Sequence, residues 1–310
     1  MCARALLTLV MTTVGCLCAT VSADTIGYWR FEGADDATGF LLDSSGNGHA
    51  LVRSALPGVS QIPLPAVGTG SAFANPVLQT GAANSSAGSF TTANGFLSAA
   101  YDSSYLVDAF TIEAFINPSA LSANTVAVGQ FSTTTGDPQR RWFLGATTGS
   151  QLRVALASTP GSAPVLDTNA VNWVGPSGMV PTSLMVGNDY YVAASVSLAT
   201  GGAGTGLVTF YLQNLTEGGP LLTQTLTHSV ATLHPSTAYL AIGAMASGGN
   251  QFPGLVDEVR FSSGVLSPNQ LLIVPEPGSW LLLAVGGLML AVSRRRQHGG
   301  DEPNGLVERQ

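Results

Sequence analysis

Along the middle of the chain, apolar residues come in short runs or alternate with polar ones, and Gly, Pro, Asn, Asp and Ser break the pattern every few residues. Nine stretches stand out: TIGYWRF (25–31), FTIEAFI (110–116), TVAVGQF (125–131), RWFLGA (141–146), QLRVALA (151–157), DYYVAASVSL (189–198), GLVTFYLQ (206–213), AYLAIGA (238–244) and GLVDEVRFS (254–262). A period of two sends successive side chains to opposite faces of a strand. Between Asp24 and Val274 no segment keeps the helical period for a convincing length. Many short strands at this spacing predict an all-β sandwich or jelly roll. In FTIEAFI, Phe110, Ile112, Ala114 and Ile116 share one face, and Thr111, Glu113 and Phe115 the other. Apolar weight on both faces predicts a central strand covered on both sides. The stretch 54–94, rich in Ala, Gly, Ser and Pro, predicts long loops with one or two strands.

The two ends have different patterns. Arg4, the apolar run Ala5–Val14 and the small residues Val21-Ser22-Ala23 have the layout of a secretory signal peptide over 1–23, cut after Ala23. All three cysteines, Cys2, Cys16 and Cys18, lie in that segment. The exported chain is therefore expected to carry no disulfide and to rely on a large core. Near the other end, Ser279–Ser293 is an apolar run of fifteen residues followed by Arg294, Arg295 and Arg296. As a helix it reaches roughly 22 Å at about 1.5 Å per residue, against about 30 Å of hydrocarbon, which is short for a permanent span. The arginines stay cytoplasmic by the positive-inside rule, while the signal peptide sends the body outward. Pro275 and Pro277, flanking Glu276, disfavour helix and hold the segment before the apolar run extended.

Composition narrows the partners. The 310-residue chain has a net charge of −7, and all eleven basic residues are arginine. Nucleic-acid binding, which needs a basic footprint, is not expected. Its 37 glycines are about twice the usual share of roughly 7% and suit many turns between short strands.

The order Val274-Pro275-Glu276-Pro277, apolar helix, arginine cluster resembles the PEP-CTERM sorting signal of exopolysaccharide-producing Gram-negative bacteria. That resemblance implies recognition of Pro275-Glu276-Pro277 by an exosortase, a membrane-embedded cysteine transpeptidase, after export by the Sec machinery. The middle resembles the concanavalin A-like, laminin G-like (LamG) jelly roll through four pieces in order: YWRFEG (28–33) with DSSGNGHAL (43–51), FLSAAYDSSYLVDAFTIEAFINP (96–118), YYVAASVSL with GLVTFYLQ, and FPGLVDEVRFSSGVLSPNQL (252–271). The resemblance implies two packed antiparallel sheets of about a dozen strands, with the closing strand beside the opening one. The expected layout is a signal peptide (1–23), a LamG-like domain (24–273), a sorting signal with its short transmembrane helix (274–296) and a polar tail (297–310).

Asp43 and Asn47 offer oxygens on a loop tightened by Gly46 and Gly48, a pattern that suits Ca²⁺ and equally an ordinary Asx turn. The family resemblance adds Asp257, with Glu32 nearby, to a structural calcium site. Glycosidases on such folds need two carboxylates about 5–10 Å apart. The Glu-x-Asp-x-(x)-Glu strand motif of laminarinase-like members is absent, and Asp257 and Glu258, being adjacent, are expected on opposite faces. The four histidines show no ligand spacing. A non-catalytic protein is expected. Trp142, Trp173, Tyr190 and Tyr191 are candidate sugar platforms, Arg140 and Arg141 candidate contacts for an acidic polysaccharide, and Trp29 reads as core. The expected function is an exported, exosortase-processed surface or extracellular-matrix protein that binds or associates with polysaccharide. The alternatives are a glycan-active enzyme on the same fold and a purely structural matrix protein.

Overall fold

A computed structural model describes residues 24–274, apart from 34–38, 56–57, 65–72, 74–75, 92–94, 122–123, 132–139, 159–165, 170–182, 200–204, 235–236 and 247. The expected signal peptide, the sorting residues Pro275, Glu276, Pro277, Arg294, Arg295 and Arg296, and Trp173 lie outside the described residues.

The described chain forms fifteen strands: β1 (Thr25–Trp29), β2 (Leu51–Arg53), β3 (Val59–Pro63), β4 (Ser86–Phe90), β5 (Leu97–Ala99), β6 (Ala109–Pro118), β7 (Thr125–Phe131), β8 (Arg140–Ala146), β9 (Leu152–Leu156), β10 (Leu166–Asn169), β11 (Tyr190–Ser197), β12 (Gly206–Asn214), β13 (Leu222–His228), β14 (Tyr239–Ile242) and β15 (Gly254–Ser263). They make two antiparallel sheets. The first runs β13-β12-β11-β6-β15-β4-β3, with β1 also on β15, and the second runs β10-β9-β8-β7-β14-β5-β2. All nine stretches singled out by their pattern are strands, and 54–94 contains two, β3 and β4. Of the six others, β13 (LTQTLTH) alternates cleanly but has threonine at three of its seven positions, so its apolar signal is thin.

The sheets stack as a jelly-roll sandwich. Between them lies one continuous core that includes Phe110, Ile112, Ala114 and Ile116 of β6, Val192, Ala194 and Val196 of β11, and Trp142 and Leu144 of β8. The outer face of the first sheet is also covered. There Phe115, Tyr191 and Tyr211 pack under Phe73 and Val77 and under Leu266, Leu271, Leu272 and Ile273. β6 is thus a central strand buried on both faces, as its pattern predicts.

The closing strand β15 organises the first sheet. One of its edges pairs with β6 along its length. The other edge is shared, with β4 on Gly254–Val256 and β1 on Val259–Ser262. The opening and closing strands therefore lie side by side. At the junction β15 carries a bulge: Asp257 faces Phe115 and Arg260 faces Glu113, so the two residues between them stand opposite one. Glu258 takes a left-handed φ of 48° there. Among the described residues no helix is long and apolar enough to cross a membrane.

Candidate functional site

The outer face of the first sheet holds three fully buried carboxylates, Glu113, Asp257 and Glu258. Glu113 is fully buried on β6, and its carboxylate has four donors. One oxygen accepts from Arg260 Nε at 2.6 Å and Nη2 at 2.5 Å. The other accepts from the Tyr191 hydroxyl at 2.7 Å and the Leu272 amide at 2.8 Å. Arg260 also donates to the Gln270 carbonyl at 2.6 Å. The cross-strand register of β6 and β15 sets Glu113 opposite Arg260, so the ion pair follows from the strand pairing. A buried carboxylate is tolerable only with such a full set of partners. Its role is to fasten the segment after β15 onto the sheet.

A second acidic group sits at the bulge. Asp257 and Glu258 are both fully buried. Glu258 meets the Tyr28 hydroxyl and Arg30, whose Nε lies at 3.1 Å. Asp257 accepts from the Asn84 amide and from the Glu258 N–H, each at 2.8 Å. The expectation that these neighbours take opposite faces is corrected here. The extra residue of the bulge breaks the alternation, and both carboxyls find partners on the outer side. Burial, and then the Glu258 charge, push the Asp257 carboxyl well above the usual range. Burial also raises Glu258, against the pull of Arg30 and Tyr28. On Tyr28, burial and the adjacent Glu258 push the phenol far above its ordinary value.

The residues considered for calcium fall in two places. Asp43 uses both oxygens twice: one accepts from the Tyr28 and Ser45 amides at 2.9 Å each, the other from Ser45 Oγ at 2.8 Å and the His49 amide at 3.0 Å. Burial opposes ionisation of Asp43, but these hydrogen bonds outweigh it and leave the carboxyl below its ordinary value. Asn47 donates to the Thr25 and Ile26 carbonyls. The loop is therefore an Asx turn tied to β1. Glu32 accepts from the amides and hydroxyls of Ser85 and Ser86, and Asp257 is engaged at the bulge. Among the described residues no group of three or more His, Asp or Glu side chains is arranged to hold a metal. Asp43 and Asn47 lie on the loop beside β1, whereas Glu32 and Asp257 lie by Ser85 and Asn84, so the four do not form one group, and the carboxylates of Asp43 and Glu32 already accept from protein donors.

Of the expected sugar platforms, Trp142, Tyr190 and Tyr191 are corrected as well, being buried. Trp142 is 1% exposed and stacks in the core on Phe261, with centroids 5.2 Å apart. Tyr190 is 2% exposed, and its hydroxyl accepts from the Met185 amide. Tyr191 serves Glu113. Arg141 is buried, and it donates to the His234 carbonyl. Arg140 is the first residue of β8. Alternation along a strand makes aromatics legible without saying that both faces are covered. Trp29 is core, as expected, with its indole N–H on the His49 carbonyl.

Two shallow surface cavities lie among the described residues. One, of about 460 Å³, opens beside β1 and is lined by Asp24, Ile26, Asn47, His49, Asp102 and Ser104. The His49 ring packs on Tyr105, and its Nε2 lies 3.8 Å from the Asp102 carboxylate. The other, of about 370 Å³, lies where β4 and β6 end and β15 begins, among Ser89, Thr91, Asn117, Ser119 and Leu255. Sequence reading did not find the Glu113–Arg260 pair. The available signal was an acid among apolar residues on a strand with two apolar faces, which demands a buried cation.

Two stacked antiparallel sheets with the opening and closing strands side by side define a jelly-roll sandwich of the lectin type. The chain belongs to the concanavalin A-like lectin/glucanases superfamily (Laminin_G_3), whose sequence profile matches residues 90–272, more than half of the chain. The profile of the PEP-CTERM protein-sorting motif matches residues 274–297, directly after it. This motif marks an exported protein with a C-terminal sorting signal and implies processing by an exosortase. No curated protein matches the chain. Among solved structures, domain 4 of AbnA, a GH43 extracellular arabinanase from Geobacillus stearothermophilus, in complex with arabinotriose, superposes with a TM-score of 0.50 at 15% identity, covering 81% of this chain and 97% of that one. The binding domain of Paraclostridial Mosquitocidal Protein 1 gives a TM-score of 0.49 at 12% identity over 81% of this chain and 51% of that one. At these identities the likeness concerns the fold alone.

Proposed function

We propose that this protein is an exported surface or extracellular-matrix component, released from a transient inner-membrane anchor by an exosortase, whose sandwich associates with polysaccharide without catalysing a reaction on it. The observation that carries the reading is the position of the sorting motif, which begins at Val274 immediately after the lectin-like domain. The family supports a carbohydrate partner, and the fold is shared with a domain whose structure is in complex with arabinotriose. The cavity beside β1 offers an imidazole, carboxylates and a hydroxyl for sugar hydroxyl groups, with Ile26 as an apolar floor. A non-catalytic role is supported by the buried carboxylates Glu113, Asp257 and Glu258, which are occupied in holding strands and segments together.

The test is the intact mass of the protein recovered from the native host's surface or medium, for wild type and for a variant with Pro275, Glu276 and Pro277 replaced by alanine. The expected wild-type product lacks the first 23 residues and the apolar run with its arginines, while the variant stays unprocessed in the membrane fraction. Equal yields of the same mature product would overturn the sorting reading. Co-sedimentation with the host's exopolysaccharide tests the second half: a His49→Ala, Asp102→Ala variant that still folds is expected to pellet less.

A further inference from the structure

The segment after β15 is fastened to the domain up to Val274, where the sorting motif begins. Leu271 and Leu272 are fully buried on the outer face of the first sheet, and Ile273 nearly so. Both backbone groups of Leu272 are engaged: its N–H by Glu113 at 2.8 Å and its carbonyl by the Gln79 amide at 3.1 Å. Arg260 holds the Gln270 carbonyl at 2.6 Å, and the Val274 amide closes a turn onto the Leu271 carbonyl at 3.0 Å. Pro275 follows in the sequence, and the apolar run starts at Ser279. Five Cα steps separate Val274 from Ser279 and span at most about 18 Å. The sequence thus has no spacer between a folded surface and the membrane-embedded run.

We propose that Glu113 and Arg260 are positioning residues for C-terminal processing: they hold Gln270–Val274 on the domain so that the processing enzyme meets Pro275-Glu276-Pro277 at a set distance from a folded face. This rests on the reading of that motif as the exosortase signal. An enzyme that grips an extended peptide must order the residues on either side of the bond it attacks, and each loose backbone residue adds an entropic cost to capture. Here the upstream residues are ordered beforehand by the sheet. Pulling them off would expose Leu271, Leu272 and Ile273 and leave the buried Glu113 carboxylate short of a donor. The domain is therefore the upstream limit of what the enzyme handles, and the new C-terminus is created at or beyond Val274 and stays next to the docked segment.

The experiment is a pulse-chase of precursor and mature protein in the native host, with the mature C-terminus read by intact mass. Three full-length variants are compared with wild type: Arg260→Gln, an insertion of eight Gly/Ser residues between Val274 and Pro275, and Pro275, Glu276 and Pro277 all replaced by alanine. The first two are expected to slow maturation at least tenfold, within the roughly hundredfold that a 1 Å misplacement of a substrate can cost, while the third is blocked. Wild-type rates and an unchanged C-terminus in both Arg260→Gln and the insertion variant, with the alanine variant blocked, would overturn the positioning role and leave the sorting reading standing. Normal maturation of the alanine variant would overturn both. If Arg260→Gln loses the protease-resistant sandwich, the insertion decides, because it alters no residue of the domain.

Discussion

Asp257 shows how one side chain connects packing to pH. Its carboxyl is fully buried beside Glu258, and the folded state holds its proton to higher pH than the unfolded chain does. A raised folded-state pKa contributes stability that is complete below the ordinary value of 3.8 and is lost as pH rises through the folded value. Wild type is therefore expected to lose stability as pH climbs from about 4 towards neutrality. Asp257→Asn keeps an acceptor for the Glu258 N–H and removes the charge. It should flatten that dependence and be more stable than wild type near pH 7 by about 1 kcal/mol, roughly 2–4 °C in Tm, with no advantage below pH ~4. Thermal melts across that range check it, and a variant less stable than wild type at neutral pH would contradict the argument. Asp43, in contrast, has four protein donors and none of the crowding. Millimolar Ca²⁺ or its removal by a chelator is expected to move Tm by less than about 1 °C, because only a ligand that binds the folded state tightly stabilises it. A shift of several degrees would mean that the loop rebuilds around the ion.

At the scale of elements, β15 is where the sandwich is joined. Its first residue, Gly254, has a φ of 141°, and a Cβ there would stand 2.1 Å from the Asn117 carbonyl oxygen and 2.9 Å from the Pro118 Cα. Both neighbours are backbone of β6 and cannot swing aside. Gly254→Ala is expected to cost about 2–4 kcal/mol through strain and overpacking, read as a lower urea midpoint at unchanged slope. An unchanged midpoint would mean that the β6–β15 pairing can open at this end. The bulge three residues later has the opposite effect on side chains. By doubling a position it turns Glu258 outward to Tyr28 and Arg30, and lets Val256 and Val259 both enter the core. The non-glycine left-handed backbone at Glu258 is held by those partners and by the adjacent Asp257 carboxylate.

At the scale of the whole molecule, the two covered faces of the first sheet explain why the domain needs no disulfide. The described residues contain no cysteine, and the core between the sheets is extended by a second apolar layer outside. That outer layer is built partly from Leu266–Ile273, so the stretch leading to the sorting motif is also part of the fold. The mass measurement on wild type and the Pro-Glu-Pro variant, and the spacer insertion after Val274, both test consequences of this shared use.

Local pattern by itself determined a good deal. Alternation and turn residues marked nine of the strands, because a half- or doubly covered strand must repeat its apolar positions at period two. The order of proline-flanked acid, apolar run and arginines marked the sorting signal, because export and membrane retention depend on linear segments. The strands that escaped were short, such as β2 and β5 with three residues each, or rich in threonine and serine, such as β13 and β4. There the neighbours supply the burial, and the sequence carries little trace of it. Only the tertiary structure decided which aromatics face the core, that Asp257 and Glu258 share a side, and that Glu113 and Arg260 pair across 147 positions of sequence. Each of these depends on strand register and on what covers the outer face, and both come from residues far apart in the chain.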